Sequence, residues 1–104
     1  MYTIIETPTF VADAKALWTE DDRGQFCAWV SVNPEAGKVI PGSGGCRKIR
    51  WSRAGAGKQG GVRVIYFTRL ECGEIWLLVI YAKAARENIP AHLLRAIRET
   101  IEHV

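Results

Sequence analysis

Residues 46–67, CRKIRWSRAGAGKQGGVRVIYF, contain two β-patterned runs on either side of a glycine-rich segment. In the first run polar and apolar positions alternate, which predicts that Lys48 and Arg50 point to one face of a strand and that Ile49 and Trp51 point to the other. The second run continues to GVRVIYFTRL and is rich in β-branched and aromatic residues, as strands are. The stretch therefore predicts a β-hairpin.

This hairpin is strongly basic. Its 22 residues include six lysines and arginines and no carboxylate. The wider segment 36–70 holds eight bases and no acids, whereas the rest of the chain holds six bases and all eleven acids. One explanation is a solvated face, and the other is a surface that binds a polyanion such as RNA. Because solvated faces normally mix both signs, the exclusion of one sign favours the second.

Two helices and a short strand precede the hairpin. Residues 2–6, YTIIE, predict a strand, and Thr7 followed by Pro8 marks the N-terminus of a helix. Thr19 and Asp22 have the spacing of a capping box, so a second helix begins there. The predicted apolar stripes of the two helices are Phe10, Ala14, Leu17 and Trp18, and then Phe26, Trp29 and Val30. The pair predicts an antiparallel helical hairpin.

A third strand and a helix follow the basic hairpin. EIWLLVIYA is apolar on both faces from Ile75 to Ile80, which predicts a central strand covered on both sides. Gly73 supplies the positive φ of the turn before it, and Pro90 opens a C-terminal helix. The predicted apolar stripe of that helix is Leu93, Leu94, Ile97 and Ile101. The order is therefore β-α-α-β-β-β-α, an α+β fold with the helical hairpin packed on a small, mainly antiparallel twisted sheet.

Length and composition exclude several classes of protein. At 104 residues, we expect a single domain over 1–104. The start, MYTIIETPTF, is unlike a secretory signal and no stretch has the length of a membrane span, so we expect a cytoplasmic protein without a membrane partner. Cys27, Cys46 and Cys72 are too widely spaced for a metal knuckle, and we expect them to be reduced and buried. GAGKQGG lacks the Ser or Thr and the first Gly of a phosphate-binding loop.

The segments GCRKIRW, GGVRVIYF and IWLLVIYAKAARENIP, in this order, resemble the RelE/ParE toxin superfamily, and most closely its HigB-like branch. The resemblance covers nearly the whole chain. Members are toxins of bacterial type II toxin–antitoxin pairs, and the RelE and HigB branches cleave mRNA on the translating ribosome. The resemblance thus implies an mRNA endonuclease that inhibits translation and needs no cofactor or metal. It also implies a cognate antitoxin, expected to be a small helix-turn-helix, HigA-like protein.

The resemblance implies catalytic roles for four basic residues, which would bind and activate the scissile phosphate: Lys48, Arg50, Arg63 and Lys83. Metal-independent cleavage drives a ribose 2′-OH onto the neighbouring phosphate, and cations can stabilise the phosphorane that forms. Strands about 4.8 Å apart would bring these side chains to one phosphate if all of them face the same groove.

Four further residues are candidates for substrate binding. Tyr81 either stacks on a base or moves protons, or it completes a core strand. Arg53 and Lys58, near the glycine-rich segment, either contact RNA or the ribosome or remain solvated. Trp51 either stacks on a base or packs in the core.

The histidines and the segment YAKAARENIP do not supply the other residues expected of a RelE-type site. His92 and His103 are expected at the surface rather than as general bases. An arginine and a later tyrosine that are prominent in RelE-type sites have no secure counterparts in YAKAARENIP. Two alternatives therefore stay open: a ParE-like inhibitor of DNA gyrase, and a basic RNA-binding module without catalysis.

Overall fold

The structure, a computed structural model, describes residues 2–52, 61–83 and 89–102, except for the side chain of Glu102. Its elements in chain order are β1 (Thr3–Glu6), α1 (Pro8–Leu17), α2 (Glu20–Val30), β2 (Lys38–Val39), β3 (Arg47–Trp51), β4 (Val62–Arg69), β5 (Glu74–Ala82) and α3 (Ala91–Glu102). A short 3₁₀ turn, Leu70–Cys72, joins β4 to β5, and Gly73 follows it with φ of 71°. The predicted α+β class and element order are confirmed, with one addition, the two-residue strand β2.

Both predicted helix starts are confirmed by their caps. The Thr7 hydroxyl accepts a hydrogen bond from the backbone N–H of Phe10 at 3.2 Å, and Pro8 occupies the first helical position. At α2 the Thr19 hydroxyl accepts from the N–H of Asp22 at 3.1 Å, while the Asp22 carboxylate accepts from the N–H of Thr19 at 3.3 Å. These bonds satisfy N–H groups that have no partner inside a helix, so the sequence around each threonine sets where the helix begins.

The five strands form one sheet in the order β1-β5-β4-β3-β2. β1 runs parallel to β5, and the other neighbours are antiparallel. β5 lies between β1 and β4, as predicted from its apolar faces. Ile65 pairs with Val79 but Tyr66 pairs with Leu77, so Leu78 is an extra residue in β5, a β-bulge.

The helical hairpin and α3 cover opposite faces of the sheet. On the hairpin side, buried residues of α1 and α2 pack against inward-facing strand residues, and the cluster comprises Phe10, Ala14, Trp18, Phe26, Val30, Val62, Val64, Tyr66, Ile75, Leu77 and Ile80. On the α3 side the buried cluster comprises Cys46, Ile65, Phe67, Leu78, Tyr81, Leu94 and Ile101. The sheet is therefore the middle layer of three, and its two faces can be told apart by which cluster a residue joins.

Two expectations need correction. Only Leu94 and Ile101 of the predicted α3 stripe are buried. They are seven residues apart and therefore lie on one line along the helix. Leu93 and Ile97 lie to one side of that line and are 48% and 37% exposed. All three cysteines are free, but only Cys46 is buried; Cys27 is half-buried and Cys72, in the turn before β5, is exposed. None of the helices in the described ranges is long and apolar enough to cross a bilayer.

Candidate functional site

Four cations lie on one face of the β2-β3-β4 part of the sheet. Lys38 pairs directly with Lys48, and Arg50 pairs directly with Arg63. Residues opposite each other in a ladder share a face, as do residues two apart in a strand. Lys48 and Arg50 are two apart, so all four side chains belong to the same face. We call Lys38, Lys48, Arg50 and Arg63 the cation face.

The cation face is on the side of the sheet opposite the helical hairpin. Ile49, between Lys48 and Arg50, packs against the hairpin-side cluster, and so do the β4 residues Val62 and Val64 on either side of Arg63. The alternation of each strand therefore places its apolar residues in the core and its cations on the other side. The predicted alternation of Lys48 and Arg50 against Ile49 and Trp51 agrees with this placement.

An open depression of about 370 Å³ marks this face. Its described lining comprises Ala36, Lys38, Lys48, Ile49, Arg50 and Arg63. The lining thus includes four cations and no carboxylate among the described residues. Lys48 and Arg63 are half-buried, whereas Lys38 and Arg50 are exposed. Such a surface attracts anions, and its arginines can bind a phosphate through two parallel hydrogen bonds.

Like charges occupy directly opposite positions in two ladders of this sheet, β2–β3 and β3–β4. Opposite Cβ atoms in an antiparallel pair are about 4.5–5.5 Å apart, and like charges at that distance destabilise the pair. The Lys38–Lys48 and Arg50–Arg63 pairs are both subject to this repulsion. An anion bound between the cations would offset it, so the arrangement is suited to phosphate ligands.

The short strand β2 is held by polar contacts, of which the bond to Tyr66 is buried and those of Arg47 are partly buried or exposed. The Tyr66 hydroxyl accepts a hydrogen bond from the backbone N–H of Gly37 at 2.8 Å. The Arg47 guanidinium donates to the carbonyls of Gly37 at 2.8 Å and Glu35 at 3.1 Å, and it lies 3.9 Å from the Glu35 carboxylate. Burial raises the pKa of Tyr66 above its ordinary value, against the lowering effect of its bond to Gly37. The phenol therefore stays neutral and fixes the residue next to Lys38.

Lys83 lies apart from the other predicted catalytic residues. It is exposed in the turn after β5, one residue beyond the pair formed by Ala82 and Val62. It is not among the described residues that line the depression. The structure thus brings together Lys48, Arg50 and Arg63 and leaves Lys83 at the end of a neighbouring strand.

Tyr81 lies next to the cation face but is buried. It pairs directly with Arg63 in the β4–β5 ladder and therefore shares its face. Only 6% of its surface is exposed, and it packs in the α3-side cluster with Leu94. In this structure it completes the core beside Arg63 rather than offering a ring to solvent.

Trp51 lies on the hairpin side of the sheet. Its ring centroid is 5.2 Å from that of Phe26, edge to face, and 5.4 Å from that of Trp29. Aromatic pairs at this spacing contribute packing energy. A base held by Arg50 would be on the other side of the strand, so the geometry favours the core role over base stacking for Trp51.

The other predicted residues are at the margins of the site or outside the described residues. His92 is exposed on α3, as expected. Arg53, Lys58 and His103 fall outside the described ranges. Lys38 is the cation that sequence reasoning missed: the basic block 36–70 included it, but a two-residue strand is too short to show alternation.

Comparison with known proteins establishes the fold. No protein-family model matches the chain. A solved structure of the Escherichia coli toxin RelE, a double arginine-to-alanine mutant in the free state, is similar with a TM-score of 0.62 and 19% identity, over 93% of this chain and 96% of that chain. The chain has a RelE-like fold. In this RelE-like fold the cation face is on the three-stranded part of the sheet farthest from β1.

Proposed function

We propose that the chain is the toxin of a type II toxin–antitoxin pair and acts as a ribosome-dependent mRNA endonuclease that inhibits translation. The observation that carries this proposal is the Arg50–Arg63 rung with Lys48 beside it, three cations on one accessible face of a RelE-like fold. A purely protein-binding surface has no need for like charges directly opposite each other. A phosphate bound between two such guanidinium groups would interact favourably with both of them.

The proposed reaction is an internal transfer at phosphorus. The ribose 2′-oxygen forms a bond to the adjacent phosphorus and the bond from phosphorus to the 5′-oxygen breaks, while a proton leaves the 2′-OH and one reaches the 5′-oxygen. The products are a 2′,3′-cyclic phosphate and a 5′-hydroxyl. In this proposal Arg63, which is half-buried beside Arg50, stabilises the extra negative charge of the phosphorane. Lys48 and Arg50 bind the phosphate, and Lys83 assists from the end of β5.

The proposed partners follow from the same surface. The antitoxin, a small helix-turn-helix, HigA-like protein, neutralises the toxin by covering the cation face, and the HigB-like branch is the proposed relationship within the superfamily. mRNA reaches the cation face on the ribosome, which places the protein in the cytoplasm. Arg53 and Lys58 are proposed to add contacts around the scissile nucleotide, whereas Tyr81 packs in the core beside Arg63.

The test is cleavage of a defined mRNA on programmed ribosomes, with the ends of the products identified. Fragments with a 2′,3′-cyclic phosphate and a 5′-hydroxyl support the proposal, and a 2′-O-methyl group at the scissile nucleotide should abolish cleavage. Ends with a 3′-hydroxyl and a 5′-phosphate would instead indicate a hydrolytic nuclease. The control is a DNA gyrase supercoiling assay, because inhibition of gyrase without RNA cleavage would identify the ParE-like alternative and overturn the nuclease proposal.

A further inference from the structure

We infer that Lys38 is a further substrate-binding residue, which holds the phosphate of a nucleotide next to the scissile one, so that the cation face binds a short run of RNA backbone and not a single phosphate. This inference rests on the proposed function and extends its site to the edge strand β2. It starts from the Lys38–Lys48 pair, which places Lys38 on the cation face and in the lining of its depression.

The dimensions of the cation face exceed those of one phosphate. Lys38 and Arg63 are two strand spacings apart, and the Arg50–Arg63 rung lies two residues along β3 from the Lys38–Lys48 rung. With about 4.8 Å between strands and about 3.4 Å per residue, the Cα atoms of Lys38 and Arg63 are roughly 12 Å apart. That distance is longer than the axial rise of about 3.4 Å per nucleotide of one strand, so the face has room for the phosphates of neighbouring nucleotides.

The support of β2 indicates that the position of Lys38 matters. Gly37, the residue before it, is fully enclosed: a Cβ there would lie 2.8 Å from the Tyr66 hydroxyl oxygen and 3.1 Å from the Arg47 Cβ. Tyr66 is itself fully buried and Arg47 makes two bonds to carbonyls of the same loop. These contacts fix a two-residue strand that would otherwise gain little from its own ladder.

A second role for Lys38 competes with this one. β2 is an edge strand, and an exposed lysine on an edge discourages pairing with another chain. Either charge sign would serve that purpose, whereas phosphate binding requires a cation. The substitution Lys38→Glu therefore separates the two roles, because it keeps a charged edge and reverses the attraction for phosphate.

The experiment measures binding and cleavage in parallel for the parent chain and for Lys38→Gln, Lys38→Glu and Lys15→Gln. Lys15 is the matched control, an exposed lysine on α1 on the other side of the sheet. Binding uses fluorescent 2′-O-methyl oligoribonucleotides of two, four and six nucleotides over a salt series. Cleavage uses programmed ribosomes, with the single-turnover rate measured against toxin concentration, and thermal unfolding checks that each variant folds.

We expect Lys38→Gln to weaken binding of the four- and six-nucleotide RNAs about fivefold and to leave binding of the dinucleotide unaffected. For the two longer RNAs, the slope of the logarithm of the binding constant against the logarithm of the salt concentration should be smaller in magnitude by about 0.7. On ribosomes the half-saturating concentration should rise while the rate at saturation stays near that of the parent. Lys38→Glu should weaken binding further, and Lys15→Gln should change neither quantity.

Two results would overturn the inference: equal losses at every RNA length, or a Lys38→Glu chain that binds and cleaves like the parent. If the parent binds RNA in this pattern but cuts none, the proposed nuclease function fails while the role of Lys38 in binding stands. A parent that neither binds the oligonucleotides nor cleaves on ribosomes overturns both.

Discussion

Arg50 and Arg63 lie directly opposite each other in the antiparallel ladder of β3 and β4, two guanidinium groups on one rung. The ladder itself would be more stable with unlike or neutral residues there. Lys38 and Lys48 form a second pair of like charges, in the ladder of β2 and β3. Removing one of these charges therefore tests whether the like-charge repulsion on the cation face lowers the stability of the free protein.

Neutralising one arginine should stabilise the free protein. Arg50→Gln is expected to raise the free energy of unfolding by about 0.2–1 kcal/mol at low salt, because it removes the charge repulsion between the exposed Arg50 and its neighbour Arg63. The gain should shrink at about 1 M salt, where the Debye length is about 3 Å. Urea unfolding at both salt concentrations measures it, with Lys15→Gln as the control. A loss of stability on Arg50→Gln would show that attractive contacts of Arg50 exceed the repulsion.

Removal of Arg63 should affect the chemical step. Arg63→Ala is expected to lower the single-turnover cleavage rate on saturated ribosomes by on the order of 10² or more while ribosome binding persists, as for other preorganised charge stabilisers. Lys58→Ala should instead weaken binding modestly, more so at high salt, and leave the saturated rate nearly unchanged. A cleavage rate for Arg63→Ala equal to that of the parent would remove Arg63 from the proposed mechanism.

The strands of the basic hairpin could be predicted from the sequence because the patterns that specify them involve residues close together in the chain. Alternation in β3 places Lys48 and Arg50 on one face, and the threonine caps fix the starts of α1 and α2. The register that sets Arg63 opposite Arg50 is a long-range property of the folded sheet, and no local pattern encodes it. For the same reason Lys38 was missed, since its place depends on the contacts of Tyr66 with the loop before β2.

Sequence patterns also could not predict whether a residue is buried or exposed when its side chain suits both environments. Trp51 fits both a stacking platform and a core, and only the positions of Phe26 and Trp29 decide for the core. In α3 every apolar residue fits the predicted stripe, but the sheet below covers one line of the helix and leaves Leu93 and Ile97 exposed.

A methyl group at Gly37 should displace β2. Gly37→Ala places a Cβ 2.8 Å from the Tyr66 hydroxyl oxygen and 2.9 Å from its Cε1, and the ring is fully buried, so the loop must shift. We expect a loss of about 1–3 kcal/mol in the free energy of unfolding, the usual cost of overpacking. The matched control is Gly24→Ala in α2, where a Cβ meets no atom within 4 Å.

The control substitution Gly24→Ala should increase the free energy of unfolding, whereas Gly37→Ala should decrease it. Alanine is favoured over glycine inside a helix, so Gly24→Ala is expected to stabilise the chain by about 0.5–1 kcal/mol. Chemical denaturation of both variants under one set of conditions compares them. Equal stabilities for the two variants would contradict the close approach of Tyr66 to Gly37.

The buried phenol of Tyr66 predicts a loss of stability at alkaline pH. Its pKa is raised in the folded state by burial, whereas in the unfolded chain it titrates near its ordinary value of 10.0. The folded state then binds more protons above that pH, so the free energy of unfolding falls as the pH rises through 10 toward the raised folded-state pKa. Below pH 10 this contribution is fully present. Urea unfolding at several values between pH 8 and pH 11 measures this fall in the free energy of unfolding.

The comparison variant is Tyr66→Phe. It should lose about 1–3 kcal/mol at neutral pH, because the buried N–H of Gly37 loses its acceptor, but its stability should fall less steeply above pH 10. Parallel curves of unfolding free energy against pH for the parent and the variant would mean that the pKa of Tyr66 does not change on folding.

The extra residue in β5 decides which side chain stands beside Arg63. Up to Leu77 the odd-numbered residues of this strand pack toward the helical hairpin, but after Leu78 the phase reverses, so Ile80 packs there and Tyr81 turns toward the cations. In a strand of the same sequence without this bulge, Ile80 would stand opposite Arg63 in place of Tyr81, although the strand would look the same by length and hydrophobicity. An alignment with a strand that lacks the bulge must therefore carry a one-residue gap at Leu78, or it will compare residues that lie on opposite sides of the sheet.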